Sequence, residues 1–164
     1  MIRTVVVALA LACLLVGLQA RAEVPTNAHG VAVIIGNKIY PGRIPDAEYA
    51  HNDAAAMKKF VIDRLGYRPG NIIDLRDATK GQMEAVFGTK ETHKGKLFNW
   101  MRPGQSDVVV FYSGHGVPGL QDKRGYLLPV DGDPNLAEIT GFPVDRLYAN
   151  LAKLPARRVT VFLD

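Results

Sequence analysis

The sequence predicts an α/β protein built on a doubly wound, mainly parallel sheet. Residues 31–35 and 108–112 are continuous apolar runs, which is typical of parallel strands that are buried on both faces. Stretches of helical periodicity separate the predicted strands, and right-handed crossovers then place helices on both faces of the sheet. A length of 164 residues suits one domain, and 48% hydrophobic with 22% charged residues excludes a disordered or fibrous chain.

The first half of the chain predicts a β-α-β unit. The strand at residues 31–35 is followed by a loop at 38–45 that contains proline and glycine. Apolar residues then recur at helical spacing over residues 47–65, and Gly66 is expected to end this helix in a left-handed conformation. A second short strand follows at residues 71–75.

The second half continues the same alternation. Thr79 is expected to cap a helix that ends near Phe87, because a threonine hydroxyl accepts from the first free N–H groups of a helix. The remaining predicted elements are a short helix at 96–101, a strand at 107–112, an extended segment at 125–130, a helix at 144–154 and a strand at 159–163.

The N-terminus predicts a secretory signal peptide over residues 1–22. A basic start at Arg3 leads into an uncharged run, residues 4–18, and an Ala-x-Ala pattern ends at Ala22. The run is shorter than the ~20 residues of a membrane span. Alternatives are an uncleaved anchor and, with less support, a lipoprotein modified at Cys13. We therefore expect an exported protein, periplasmic or secreted, with a short lead-in at 23–29 and one domain over 30–164.

Removing this leader changes the charge and the cysteine count. The full chain has 20 basic and 16 acidic residues; without Arg3 and Arg21 it has 18 against 16, a net charge of +2. This small excess does not favour a nucleic-acid partner. Cys13 is the single cysteine, so a disulfide framework within the chain and a multi-cysteine zinc site are excluded. We expect no metal site and, after cleavage, no stable membrane span.

Candidate catalytic residues cluster where predicted strands end, since active sites of open α/β sheets lie at the carboxyl ends of the strands. His115 lies between two glycines and can act as a general acid or base near neutral pH. A histidine that only stabilises the loop is the alternative. Ser113 is a poor nucleophile, because it is two residues from His115 and no acidic partner completes a triad.

The sequence does not match the motifs of a calcium-binding loop or of a nucleotide-binding loop. Asp131 and Asp133 begin like a calcium loop, but Leu136 and Phe142 stand where the loop needs glycine and glutamate, which predicts a turn instead. Neither a phosphate loop nor a G-x-G-x-x-G follows the first strand, so nucleotide binding, as in a flavodoxin-like domain, has little support.

Taken together, several motifs resemble the caspase-like cysteine peptidases, with most similarity to the bacterial metacaspase, paracaspase and orthocaspase types. The resemblance extends from about Gly30 to Asp164. The motifs are VAVIIGN with Tyr40, then Asn52-Asp53-Ala54, Asp77-Ala78-Thr79, DVVVFYSGHG, the segment from Gly125 to Asp131, and the final VTVFLD.

The resemblance implies a caspase-like fold and a Cys-His dyad. His115 would be the dyad histidine, and the Gly116 N–H would be one donor to the oxyanion. The nucleophilic cysteine would follow Asp164 within about two residues, as in Asp-Ala-Cys, so the 164 residues by themselves are expected to be inactive and the domain incomplete at its C-terminus. A non-enzymatic binding or regulatory module with the same fold is the alternative.

The resemblance also implies a substrate class. Asp53 and Asp164 match the acidic residues with which metacaspase-like members bind arginine or lysine before the cleaved bond, and paired carboxylates suit a guanidinium. Arg43 keeps the opposite preference, for aspartate, open. The expected partner is a peptide or protein substrate. No cofactor is evident; calcium activation is known in the resembled family, although no motif here supports it.

Overall fold

The computed structural model describes residues 26–164; the predicted signal peptide and Cys13 lie outside this range. Within these described residues, seven strands and five α-helices follow one another. They are β1 (Val31–Gly36), α1 (Ala50–Asp63), β2 (Ile72–Arg76), α2 (Lys80–Phe87), α3 (Lys96–Trp100), β3 (Asp107–Ser113), β4 (Gly116–Pro118), β5 (Gly125–Leu127), α4 (Ala137–Thr140), β6 (Phe142–Pro143), α5 (Val144–Leu151) and β7 (Arg158–Leu163), with 3₁₀ turns at Pro69–Asn71 and Pro134–Leu136.

The main sheet has four parallel strands in the order β2-β1-β3-β7. The central strand β1 pairs with β2 on one side and β3 on the other, and β3 in turn pairs with β7. Every residue of β1 and β3 is buried, because both faces of the sheet are covered by helices. The predicted α/β fold with a mainly parallel sheet is therefore confirmed.

Alternate residues of the central strands build two separate cores. On one face Val33 and Val110 pack with residues of α2, α3 and α5, such as Met83, Leu97 and Leu147. On the other face Ile34 and Phe111 pack with Ala54 and Val61 of α1. Gly36 permits the close approach of α1, because a Cβ on it would lie 2.5 Å from the Ala50 carbonyl oxygen.

A second sheet, antiparallel and in the order β4-β5-β6, lies beyond the carboxyl end of β3. The sequence predicted only its middle strand, within the extended segment at 125–130. The outer strands have two or three residues each and are too short to show alternation. This small sheet begins at Gly116, directly after His115, and so carries one side of the candidate site.

Helix signals were confirmed where a specific cap is present. The Thr79 hydroxyl accepts from the Gln82 N–H and the Gln82 side chain accepts from the Thr79 N–H, which forms a complete capping box. Gly66 has the predicted left-handed conformation, with φ of +70°, although α1 already ends at Asp63. None of the helices within residues 26–164 has the length and apolar character needed to cross a membrane.

Candidate active site at the carboxyl edge of the sheet

Three neighbouring strands end side by side and define the site. The Asn37 N–H donates to the Ser113 carbonyl oxygen, and the Asp164 N–H donates to the Tyr112 carbonyl oxygen, so the pairing continues just beyond β1 and β7. The Asn37 side chain is fully buried and bonds to the backbone of Ala78 and Leu128, which joins the edge of the main sheet to the small sheet. The residues that follow these strands are therefore held in fixed relative positions.

His115 lies in the turn between β3 and β4, and one of its ring nitrogens is already bonded. Its Nε2 is 2.7 Å from the carbonyl oxygen of Pro45, in the loop after β1. Because a carbonyl oxygen only accepts, Nε2 carries the proton. The Nδ1 atom is consequently the one left to accept or donate a proton during a reaction.

Two buried tyrosines fix the backbone of this turn. The Tyr40 hydroxyl accepts from the His115 N–H at 3.1 Å, and the two rings are in contact with centroids 4.7 Å apart. The Tyr112 hydroxyl lies 2.9 Å from the carbonyl oxygens of both His115 and Leu128. Burial raises the pKa of Tyr40 and of Tyr112, so both hydroxyls remain protonated donors across the physiological range.

Gly114 makes room for these hydroxyl groups. A Cβ on Gly114 would lie 2.9 Å from the hydroxyl oxygens of both Tyr40 and Tyr112. Any larger residue would displace the two groups that hold His115. The glycine before the histidine is therefore required by the close approach of two side chains.

The predicted oxyanion donor, the N–H of Gly116, points away from the neighbouring strand. The Leu128 N–H donates to the His115 carbonyl and the Gly119 N–H donates to the Arg124 carbonyl. Since bonded and non-bonded pairs alternate in an antiparallel ladder, Gly116 opposite Leu127 is a non-bonded position. Its N–H is thus free of the β4–β5 ladder and adjacent to His115.

Asp53 and Asp164 meet at one hydroxyl group. The Ser113 Oγ lies 3.4 Å from an Asp53 carboxylate oxygen and 3.4 Å from an Asp164 carboxylate oxygen. Asp53 comes from the first turn of α1, and Asp164 follows β7. The fold thus brings together two carboxylates that are 111 residues apart in the sequence. Such a pair of carboxylates is a favourable environment for a cationic group.

Arg43 does not join this acidic pair. It is exposed in the loop after β1 and lines a cleft of about 630 Å³ together with Pro45, His115 and Gly116. A second cleft, of about 480 Å³, adjoins Gly116 and Asp164. His115 and Gly116 therefore lie between the cleft formed by the loop after β1 and the cleft next to Asp164.

Asp77 anchors the loop that carries Pro45. Its Oδ1 accepts from the N–H groups of Lys38 at 2.8 Å and Ile39 at 3.0 Å, and lies 3.0 Å from His51 Nε2. Burial tends to raise the pKa of Asp77, but these three partners outweigh it and hold the pKa below its usual value. His51, whose side chain is partly exposed, thus contacts this carboxylate.

The remaining acidic and basic motifs have structural roles. Asp131 accepts from the Lys80 N–H, and Asp133 accepts from the Asn135 N–H within the predicted turn. Arg157 forms a two-pronged pair with Asp107, and this bond lowers the pKa of Asp107 against the opposing effect of burial. Across the described part of the chain, no three His, Cys, Asp or Glu residues are grouped so that they could hold a metal ion.

Sequence reasoning missed the contacts that act through backbone atoms. The Pro45 carbonyl, which contacts His115, carries no residue-type signal, because every residue has a carbonyl group. Asp77 was part of a recognised motif, yet its function as an anchor for the loop depends on a left-handed backbone at φ of +53°. The sequence did contain one signal for this role. Asp77 directly follows a strand, and aspartate tolerates the left-handed conformation better than most residues.

The fold and the edge geometry agree with the family comparison. The caspase domain family model matches residues 29–164, so the chain belongs to this family of cysteine peptidases. Metacaspase-7 of Arabidopsis thaliana is 31% identical over 113 residues, covering 63% of this chain. The chain spans 27% of that relative's length. Assignment to a bacterial subtype stays a prediction.

Proposed function

We propose that this chain is the histidine-bearing portion of a caspase-like cysteine endopeptidase that cleaves after arginine or lysine. The observation that carries the proposal is the pair of carboxylates, Asp53 and Asp164, each 3.4 Å from the Oγ of Ser113, which is two residues before His115. Membership of the caspase domain family supplies the reaction class. The preference for basic residues rests on the charge of this pair.

The proposed nucleophile is a cysteine that follows Asp164. Its thiol gives its proton to Nδ1 of His115, the resulting thiolate attacks the carbonyl carbon before the cleaved bond, and the N–H of Gly116 donates to the oxyanion that forms. As the carbon–nitrogen bond breaks, Nδ1–H of His115 gives its proton to the leaving amine. Water then hydrolyses the thioester, and His115 accepts a proton from that water.

The Pro45 carbonyl sets the direction of this proton transfer. By accepting from Nε2, it fixes the ring orientation and leaves Nδ1 toward the reacting atoms. It also stabilises the imidazolium, since a carbonyl dipole pointing at a charged N–H is favourable. Residues 26–164 contain no cysteine, so this part of the protein by itself is predicted not to hydrolyse peptides.

The test begins with the codons after Asp164 in the complete reading frame. A cysteine within a few residues is expected, and the full-length product should hydrolyse an arginyl reporter peptide and not an aspartyl one. His115→Ala should abolish this activity. Absence of a cysteine there, together with a folded product that binds a partner protein, would instead support the non-enzymatic module. An aspartyl preference would contradict the proposed specificity and leave the reaction class intact.

A further inference from the structure

Tyr49 is an exposed aromatic residue near the acidic pair, and the proposed function does not use it. The residue is 68% exposed and stands at the N-cap position of α1, four residues before Asp53. Its backbone is already in the right-handed helical region, with φ of −95° and ψ of −9°. The Asp53 N–H donates to the Tyr49 carbonyl oxygen at 2.9 Å, so the spacing of a helix applies to this pair.

The geometry of α1 places Tyr49 and Asp53 on one face of the helix. Residues four apart have Cβ atoms about 5–6 Å from each other, and each side chain leans toward the N-terminus of its helix. The Asp53 side chain therefore lies over the turn that Tyr49 begins. The tyrosine ring and the carboxylate consequently share one part of the protein surface.

The helix face that carries Tyr49 is directed toward β7. Phe60, which is two turns after Asp53 on the same face, lines a groove together with Phe162 of β7. Asp53 itself approaches Asp164, which follows β7, through the hydroxyl group that contacts both carboxylates. Two separate positions along α1 thus turn this face toward the strand that ends at Asp164, and Tyr49 lies at the same end of the helix as Asp53.

This arrangement suits a guanidinium better than an ammonium group. The two carboxylates accept hydrogen bonds in the plane of a guanidinium, which leaves its flat faces open for an aromatic ring. A tyrosine attracts such a cation by the negative potential of its ring face. The ammonium group of lysine is compact and strongly hydrated, so it gains less from contact with a ring.

We propose that the ring of Tyr49 stacks on the guanidinium of the substrate arginine held by Asp53 and Asp164, and that it makes the site prefer arginine to lysine. This inference rests on the proposed function and deepens it, because the acidic pair alone attracts either cation. Tyr49 is a specificity-determining residue in this account and takes no part in the proton transfers at His115.

The test compares two reporter peptides that differ only in having arginine or lysine before the cleaved bond. The full-length product of the reading frame should show the higher kcat/KM for arginine. Tyr49→Ala should lower kcat/KM for the arginyl peptide about two- to fivefold, the range expected for an exposed cation–π contact, and should affect the lysyl peptide less. Tyr49→Phe retains the ring and should retain the arginine-to-lysine ratio. Each ratio is measured on one preparation, so differences in the active fraction cancel.

Tyr148→Ala is the matched control. It removes an exposed tyrosine from α5, which packs on the opposite face of the main sheet from α1, and it should leave the ratio unchanged. Tyr49 makes no side-chain capping bond to α1, so its replacement should leave the helix folded, which thermal unfolding of the variant checks.

Three outcomes overturn the inference. An arginine-to-lysine ratio that is unchanged in Tyr49→Ala would show that the ring does not contact the substrate cation, and the proposed peptidase function would stand. An equal fall of the ratio in Tyr49→Phe would assign the preference to the hydroxyl group and contradict stacking. Failure of the unmodified protein to hydrolyse either peptide would remove the proposed function, and this inference with it.

Discussion

A histidine performs directed proton transfer when one ring nitrogen is held and the other faces the reacting atoms. Here Pro45 holds Nε2, while Tyr40 and Tyr112 fix the backbone on either side of the ring. The sequence supplied the identity of the histidine, and the fold supplies its orientation.

The first residue-scale prediction concerns the acidic pair. Asp53→Asn keeps the shape of the side chain and removes one of the two charges near Ser113. We expect kcat/KM for an arginyl peptide to fall by about 10- to 100-fold, the loss of one charge-assisted hydrogen bond. Steady-state kinetics of the full-length protein measure this.

Asp63→Asn is the matched control, because Asp63 lies at the other end of the same helix and pairs with Lys59. It should have no effect on kcat/KM. Equal losses in the two variants would argue against a specific role of Asp53.

The second residue-scale prediction concerns Gly114. Gly114→Ala places a methyl group against two tyrosine hydroxyls, and we expect it to lower the free energy of unfolding by about 1–3 kcal/mol. Urea denaturation measures the change. Gly81→Ala, at an open position in α2, should be neutral or stabilising by up to about 1 kcal/mol. Unaltered stability of Gly114→Ala would contradict the close packing described here.

At the scale of elements, the loop after β1 depends on Asp77. The pKa of Asp77 is lowered in the folded protein, so its carboxylate stabilises the fold at pH values above the unfolded pKa of about 3.9. This contribution is lost as the pH falls through the folded pKa. Asp77→Asn should therefore be less stable than the unmodified protein by about 1–3 kcal/mol at pH 7.

The effect of Asp77→Asn on the free energy of unfolding should also depend on pH. The stability difference between the unmodified protein and Asp77→Asn should shrink when urea denaturation is repeated at pH values progressively below the unfolded pKa of about 3.9, because the native carboxylate is then increasingly protonated. Asparagine tolerates the left-handed backbone at this position, so added strain does not complicate the comparison. Asp145→Asn, at an exposed carboxylate, provides the control. A difference that stays constant with pH would refute the charge-based explanation.

Elements with a strong local signal were predictable, and those defined by pairing were not. The buried strands β1 and β3 and the capped helix α2 follow from apolar runs and from Thr79 with Gln82. In contrast, β4 and β6 are defined only by their pairing with β5. Segments of two or three residues are too short to show the periodicity of a strand. The loop bearing Pro45 is likewise set by hydrogen bonds that its Lys38 and Ile39 N–H groups donate to a distant aspartate, Asp77.

The site shows the same division. His115, Gly116, Asp53 and Asp164 were predicted from motifs, and the fold places them at one edge, although their chemical roles stay predictions. The contact of Asp53 with Ser113 could not be read from spacing, because it depends on how closely α1 packs on β1 at Gly36.

At the scale of the whole molecule, β7 forms one border of the main sheet. It pairs with β3 on one side, and Phe162 and Leu163 are 43% and 40% exposed. An open strand edge with apolar side chains favours association with other chains. We expect residues 23–164, expressed alone, to self-associate in sedimentation velocity experiments.

Phe162→Lys should shift this polypeptide toward the monomer, since a charge on an edge strand opposes pairing. Tyr148→Lys changes a similarly exposed aromatic residue on α5, away from the edge, and should not. A monomer with a sharp cooperative thermal transition for the unmodified polypeptide would contradict the prediction.

The central claim is that a thiolate after Asp164, His115 and the acidic pair together form a peptidase site for basic residues. It is tested most directly by covalent labelling of the full-length protein with peptidyl electrophiles that carry arginine or aspartate, followed by mass spectrometry of the labelled peptide. The account predicts that the arginyl probe labels a cysteine within a few residues of Asp164, that the aspartyl probe does not, and that His115→Ala suppresses the reaction. Preferential labelling by the aspartyl probe, or no labelled cysteine at this position, would contradict it.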